Sequence, residues 1–216
     1  MRDFTSYDVW MIVSAVRWTI ALAAVAFVSG SLGAFVVGLM RASRSAPVRV
    51  VAIAWIRFFQ GVPLLIIMLL AFFAPPVFLG FDVGPWTAVS LSFACFASAN
   101  LGEILRGSIE ALPKGQIEAA RVLGMTRIAI LSDIVLPQAM RLSLIPSISF
   151  FIQLVKATSL ASVVGFVELT KTGQTINNAT FNPFTIFGLV ALLYFLMCWP
   201  LSKLCQHLER KFPLTT

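Results

Sequence analysis

The sequence predicts an all-α, polytopic membrane helix bundle with five transmembrane helices, and three observations carry that expectation. Of the 216 residues, 59% are hydrophobic and only 12% charged, and mean hydropathy is +0.92; soluble domains are about half apolar and about a quarter charged. The apolar residues gather into runs of about 20, the length that crosses a bilayer as a helix. The charges fall in the gaps between those runs. A formal net charge of +7 raises nucleic acid as a partner. The basic residues form no stripe with interleaved aromatics, however, and that class is set aside.

The spans are expected at about 18–40, 61–79, 85–105, 142–167 and 183–201, with residues 1–216 forming a single transmembrane domain. The first apolar run is longer than a signal-peptide core and reads as a span rather than a cleaved leader. Within it, Ala26, Ser29, Gly30 and Gly33 place small residues near one face, which lets membrane helices approach closely. Pro75-Pro76 and the Gly80, Gly84, Pro85 cluster predict a turn after the second span. Arg41, Arg44, Arg49 and Arg57 lie between spans one and two. Arg106, Lys114, Arg121, Arg127 and Arg141 lie between spans three and four, and Lys203, Arg210 and Lys211 close the chain. The opposite connections hold Asp82, and Glu168 with Lys171. Cytoplasmic loops carry the excess of Lys and Arg, so the N-terminus is expected outside and the C-terminus inside.

Residues 106–137 between spans three and four are neither lipid-like nor disordered. Lys114 to Leu123 follows Pro113 and is rich in helix formers, with apolar positions at Ile117, Ala120 and Leu123. Gly124 supplies a positive-φ stop. Thr126 is an N-cap for a second short helix, Arg127 to Val135, and Pro137 punctuates the entry to span four. Helix, glycine corner, helix makes a compact knuckle on the cytoplasmic side. It suits docking into another protein's groove or lying on lipid head groups.

The string Glu118-Ala119-Ala120, three residues, Gly124, nine residues, Ile134-Val135-Leu136-Pro137 resembles the EAA loop of ABC importer permeases. Arg106-Gly107, Gly115-Gln116, Leu136-Pro137-Gln138-Ala139, Lys156-Ala157-Thr158-Ser159-Leu160 and Gly61-Val62-Pro63-Leu64-Leu65 resemble the patterns of its polar amino acid uptake branch. Gln60 stands where that branch usually has arginine, and Asn100 where it usually has tyrosine. The resemblance implies a type I importer permease in the bacterial inner membrane. It implies that Glu118, Ala119, Ala120, Arg121, Gly124 and Pro137 couple to an ABC ATPase subunit. The other implied partners are a second permease subunit, identical or related, and an extracytoplasmic solute-binding protein.

Ionisable groups inside spans are costly and are functional candidates by default. Lys156 lies 15 residues beyond Arg141, about 22 Å along a helix, and reads either as a wall of a polar pathway or as half of an interhelical pair. Gln153 shares its face, and Thr158 and Ser159 are close by. Glu103 is spaced to pair with Arg106, with Asn100 one turn earlier. The expected substrate pathway is therefore Asn100, Glu103, Gln153, Lys156, Thr158 and Ser159.

No G-x4-G-K-[ST] occurs in the chain, so no cofactor is expected here, and ATP with Mg belongs on the partner ATPase. Cys95, Cys198 and Cys205 lack the spacing of metal ligands and read as small hydrophobes. His207 lies among basic residues near the C-terminus and reads as a solvated side chain. Lys171-Thr172-Gly173 has no companion hydrolase motifs and is taken as chance. An enzyme is therefore not expected. The rivals are an ATP-independent channel or secondary transporter, whose mark would be inverted repeats, and a structural membrane subunit without a transport path.

Overall fold

The computed structural model describes residues 2–43 and 45–211. Arg44, one of the basic residues of the first connection, lies outside them. Among the described residues every regular element is helical. Four helices there are long and apolar enough to cross a membrane alone, and a bent pair makes up to five crossings if it counts as one span.

Helix α1, Ser6–Ala42, starts well before the expected Trp18. The reason is a polar lock at its first turn. The Thr5 N–H and hydroxyl both donate to Asp8 Oδ2 at 2.9 Å, and Arg2 donates to the same carboxylate. At 1.5 Å per residue the helix is about 55 Å long, nearly twice the hydrocarbon core of a bilayer. Aromatic rings mark where the crossing begins. Trp18 meets Trp86 edge-on at 6.2 Å, Trp86 meets Phe166, and the Arg17 guanidinium lies 5.5 Å from the Trp18 ring. Such rings favour the membrane–water interface. The stretch before Trp18 packs through Ile12 against α8 and the start of α9, described below.

The small residues of α1 seat α4, Pro85–Glu110. A Cβ on Gly30 would stand 2.4 Å from the Ala97 Cβ, and one on Gly33 would stand 2.7 Å from the Ser98 Cβ. Ser29 turns elsewhere and donates to the Val25 carbonyl. Leu22, Ala26, Phe93, Ala97 and Leu101 fill the resulting core. Gly30→Val must therefore push α1 off α4. We expect a loss of about 3 kcal/mol, the upper end of overpacking costs, seen as a lower Tm in a detergent-solubilised thermal scan. An unchanged Tm would show that the two helices are not locked there.

The second span departs from expectation. Residues 46–61, read as part of a basic connection, form helix α2, Ala46–Gly61, because Ala52, Ile56 and Phe59 give it a buried face. The Trp55 indole N–H donates to Ser98 Oγ at 3.0 Å, fixing α2 against α4. The chain then bends by 102° at Val62-Pro63 into α3, Leu64–Leu79. Proline cannot donate the N–H that would continue α2. Pro75 and Pro76, expected in a turn, lie inside α3. Membrane helices tolerate such prolines where neighbouring groups re-satisfy the backbone. The turn comes at Gly80, with φ +71°.

Beyond α4, helix α5 covers Lys114–Val122. Helix α6, Arg127–Ala129, runs without a break through a π-helical segment, Ile130–Val135, into α7, Leu136–Ala157. The expected second short helix is thus the start of span four. Pro137 does not interrupt it: the π-helical turn lies immediately before the proline, the kind of local adjustment by which a membrane helix accommodates one. Span four tightens into a 3₁₀ segment, Thr158–Val164, and stops at Gly165 with φ +83°.

The last connection, read as a loop, is helix α8, Leu169–Thr180, followed by α9, Pro183–Lys211. Leu169, Ile176, Ile186 and Val190 form a small core that holds α8 to α1 and α9. A Cβ on Gly173 would come within 2.8 Å of Val190, so the α8–α9 contact is close. All three cysteines are free: Cys95 is half-buried, Cys198 and Cys205 are buried. No cluster of metal-ligating side chains occurs among the described residues.

Candidate functional site

The knuckle is built by local rules. Helix α5 ends in a left-handed Gly124, φ +76°. The Met125 N–H returns to the Ala120 carbonyl at 3.1 Å, the six-to-one bond of a Schellman stop. Thr126 then caps the next helix by accepting from the Ala129 N–H at 3.2 Å. Underneath lies a separate core of Leu112, Ala120, Ile130, Val135 and Ala139. A side-chain bond from Gln138 to Gln116, 2.7 Å, ties α5 to span four. The knuckle is consequently a rigid extension of that span.

Its outer face is unlike an ordinary loop. Glu118, Ala119, Arg121 and Gly124 are exposed. Beside them Val122 is 88%, Leu123 81% and Ile128 79% exposed. Three large apolar side chains in water around an acidic and a basic residue form a surface that a protein partner would cover. Ala120 is buried and supports the helix from below. Pro137 is exposed at the foot of the knuckle. The motif spacing located this surface, but Leu123, read with Ile117 and Ala120 as one apolar pattern, faces outward instead. Val122 and Ile128 had no signal of their own, since apolar residues on a short amphipathic helix usually face inward.

The expected pathway residues fall into separate groups. On α4, Glu103 accepts from Arg106 at 2.8 Å, and Arg106 also pairs with Glu110. Arg41 of α1 reaches the other Glu103 oxygen at 3.4 Å. Glu103 is thus a structural ion-pair centre. Half-exposed Asn100 donates to the Phe96 carbonyl at 2.8 Å. On α7, Gln153 and Lys156 are both exposed, three residues apart on one face. Thr158 is fully buried and donates to the Val155 carbonyl, and Ser159 donates to that of Lys156. Among the described residues, no hydrogen bond or ion pair links the α4 group to the α7 group.

A buried carboxylate lay outside the expected site. Glu168 is 0% exposed and caps α8, accepting from the N–H groups of Thr170 and Lys171, both at 2.8 Å. The Tyr194 hydroxyl on α9 donates to it at 2.9 Å and lies 3.0 Å from Thr170 Oγ1. Burial pushes the Glu168 carboxyl above its ordinary value, against the pull of these donors. Glutamate is no favoured N-cap, and Tyr194 is 26 residues away, so sequence reasoning passes it by.

The matching family profile is described as the binding-protein-dependent transport system inner membrane component, and it covers residues 30–212. The chain belongs to this family. It is an inner-membrane permease subunit of an ABC importer. The permease is 32% identical to the L-cystine transport system permease protein TcyB of Bacillus subtilis over 97% of this chain and 90% of that one. It is 36% identical to the probable glutamine ABC transporter permease protein GlnP of the same organism, over 86% and 87%. Its fold matches a solved amino acid ABC transporter crystallised with histidines, at TM-score 0.91 and 32% identity, covering 98% of this chain and all of that one. A likeness to the MetNI methionine transporter, TM-score 0.79 at 21% identity, shows the shared fold.

Proposed function

We propose that the permease forms one wall of the path for a polar amino acid or related small solute in an ATP-driven importer. The observation that carries this reading is the rigid knuckle with an exposed apolar tip, continuous with span four. A push on the knuckle is transmitted to a helix that bears Gln153 and Lys156. The similarity to permeases named for cystine and glutamine, and for nopaline in Agrobacterium fabrum, supports the substrate class. ATP and Mg are assigned to a separate ATPase subunit, because this chain has no phosphate-binding loop sequence. A solute-binding protein delivers the cargo at the end holding α8. The Arg- and Lys-rich connections assign the knuckle end to the cytoplasm, with the N-terminus outside. The largely unburied face of α7 is assigned to a second permease subunit, identical or related.

The test is reconstitution in proteoliposomes with the ATPase and binding protein that copurify with the permease. Uptake is expected only with ATP and both partners. Uptake without the ATPase would instead favour the channel or secondary-transporter reading. In the same assay Lys156→Ala is expected to change transport by about tenfold, the scale of one hydrogen bond to a charged group, while ATPase copurification stays intact. Unchanged transport would remove Lys156 from the path.

A further inference from the structure

At the knuckle end of the bundle, the last turns of α1 and α4 and the π-helical segment leave a groove of about 350 Å³ between them, within the range of about 300–1,000 Å³ typical of ligand sites. Its walls are apolar, with Phe35 and Leu39 from α1, Leu105 and Ile109 from α4, and Leu131 and Leu136 from the stem of the knuckle. Gly38 and Gly102 lie among its lining residues. Phe35 and Leu39 are each just over half exposed, on the same helix as Val28, Leu32 and Val36, all more than half exposed. The groove therefore opens onto the apolar outer surface of α1, which in a bilayer faces lipid.

Its two cations differ. Arg106 is engaged by Glu103 and Glu110. Among the described residues Arg41 has only the 3.4 Å contact with Glu103, whose carboxylate is already bonded to Arg106 at 2.6 Å, and the Arg41 side chain is 27% exposed. An under-engaged arginine thus stands in the last turn of a membrane helix, beside an apolar slot at head-group depth.

We propose that this groove holds an acyl chain of an anionic phospholipid, with Arg41 on the head-group phosphate. The charge, the opening toward lipid and the depth favour this occupant over a protein segment. Leu131 and Leu136 form one wall, so the seated chain braces the stem of the knuckle against α1 and α4. Lipid occupancy then sets how firmly the coupling surface is held.

The test uses the assembled importer, delipidated in detergent and titrated with palmitoyl-oleoyl phosphatidylglycerol or phosphatidylcholine under native mass spectrometry. One phosphatidylglycerol per permease chain is expected, preferred over phosphatidylcholine about fivefold, the gain from one juxtamembrane basic residue. Arg41→Gln removes the preference and Arg41→Lys restores it. Gly38→Leu fills the slot, and its Cβ has only Leu105 Cδ2 within 4 Å, at 3.7 Å, so the helices accommodate it. It is expected to weaken both lipids about tenfold by excluding a few methylenes. A preference kept by Arg41→Gln, or binding kept by Gly38→Leu, overturns the assignment. So does a diazirine-bearing phosphatidylglycerol that labels only surfaces outside α1, α4 and the stem. These readouts need no uptake, so they stand apart from the amino acid assignment.

Discussion

Gly124→Val is expected to reduce ATP-dependent uptake by about tenfold or more, the size of an ordinary coupling between two sites, while the permease stays inserted and folded. The backbone at Gly124 has φ +76°, and a Cβ there would meet nothing within 4 Å. The penalty is therefore conformational, about 1–2 kcal/mol for an L-residue in the left-handed region, and larger for a β-branched one. Relief of that strain breaks the bond from Met125 to Ala120. The direction in which Val122 and Leu123 are presented then changes. Membrane insertion depends on the spans and is spared. Uptake in right-side-out vesicles or proteoliposomes loaded with ATP, with permease abundance and ATPase copurification scored in parallel, separates the two effects. Full uptake by the variant would sink the coupling role of this corner. Glu118→Arg, a charge reversal on the exposed face, is the companion that leaves the backbone alone.

Glu168→Ala is expected to detach the opposite end. The N–H groups of Thr170 and Lys171 and the hydroxyl of Tyr194 all lose their buried acceptor. A lost cap together with stranded donors costs about 2–4 kcal/mol, read as a lower Tm and faster proteolysis between residues 165 and 182. The pH dependence distinguishes the carboxyl from mere packing. Burial raises its folded-state pKa above the ordinary 4.5, so the folded chain holds the proton to higher pH than the unfolded chain. The contribution of this group is complete below 4.5 and is lost as pH rises through the raised value. Tm of the unaltered permease should thus fall, relative to Glu168→Gln, as pH rises from 4.5 through the raised value. Parallel curves would mean that the carboxyl does not titrate between folded and unfolded states.

The parts legible in the sequence are those decided within a turn or two of chain. Pro113, Gly124 and Thr126 fix the knuckle through neighbours, so its stop and cap could be read directly. The small residues Gly30 and Gly33 announced a close contact, though not that Ala97 and Ser98 would fill it. Residues 46–61 were hidden because Arg49 and Arg57 read as a connection. The face formed by Ala52, Ile56 and Phe59 only matters once α1 and α4 stand beside it. Glu168 was hidden for the same reason, since its partner lies on another helix. Span four was misjudged through Pro137, which the π-helical turn just before it lets the helix carry without a stop. The spacing of Glu103 and Arg106 did foretell their pair, but not Arg41, 62 positions away.

The π-helical segment Ile130–Val135 gives the knuckle its phase. A π turn holds about one residue more than an α turn, and each residue of an α-helix turns the chain by about 100°. Removing one residue there would shift the register between Gly124 and Pro137 by one while leaving the flanking helices intact. Yet Val122, Leu123 and Ile128 would be swung about a quarter of a circle around the axis of span four. The insertion works like the keyway on a shaft: it delivers no force, but it fixes the angle at which force arrives.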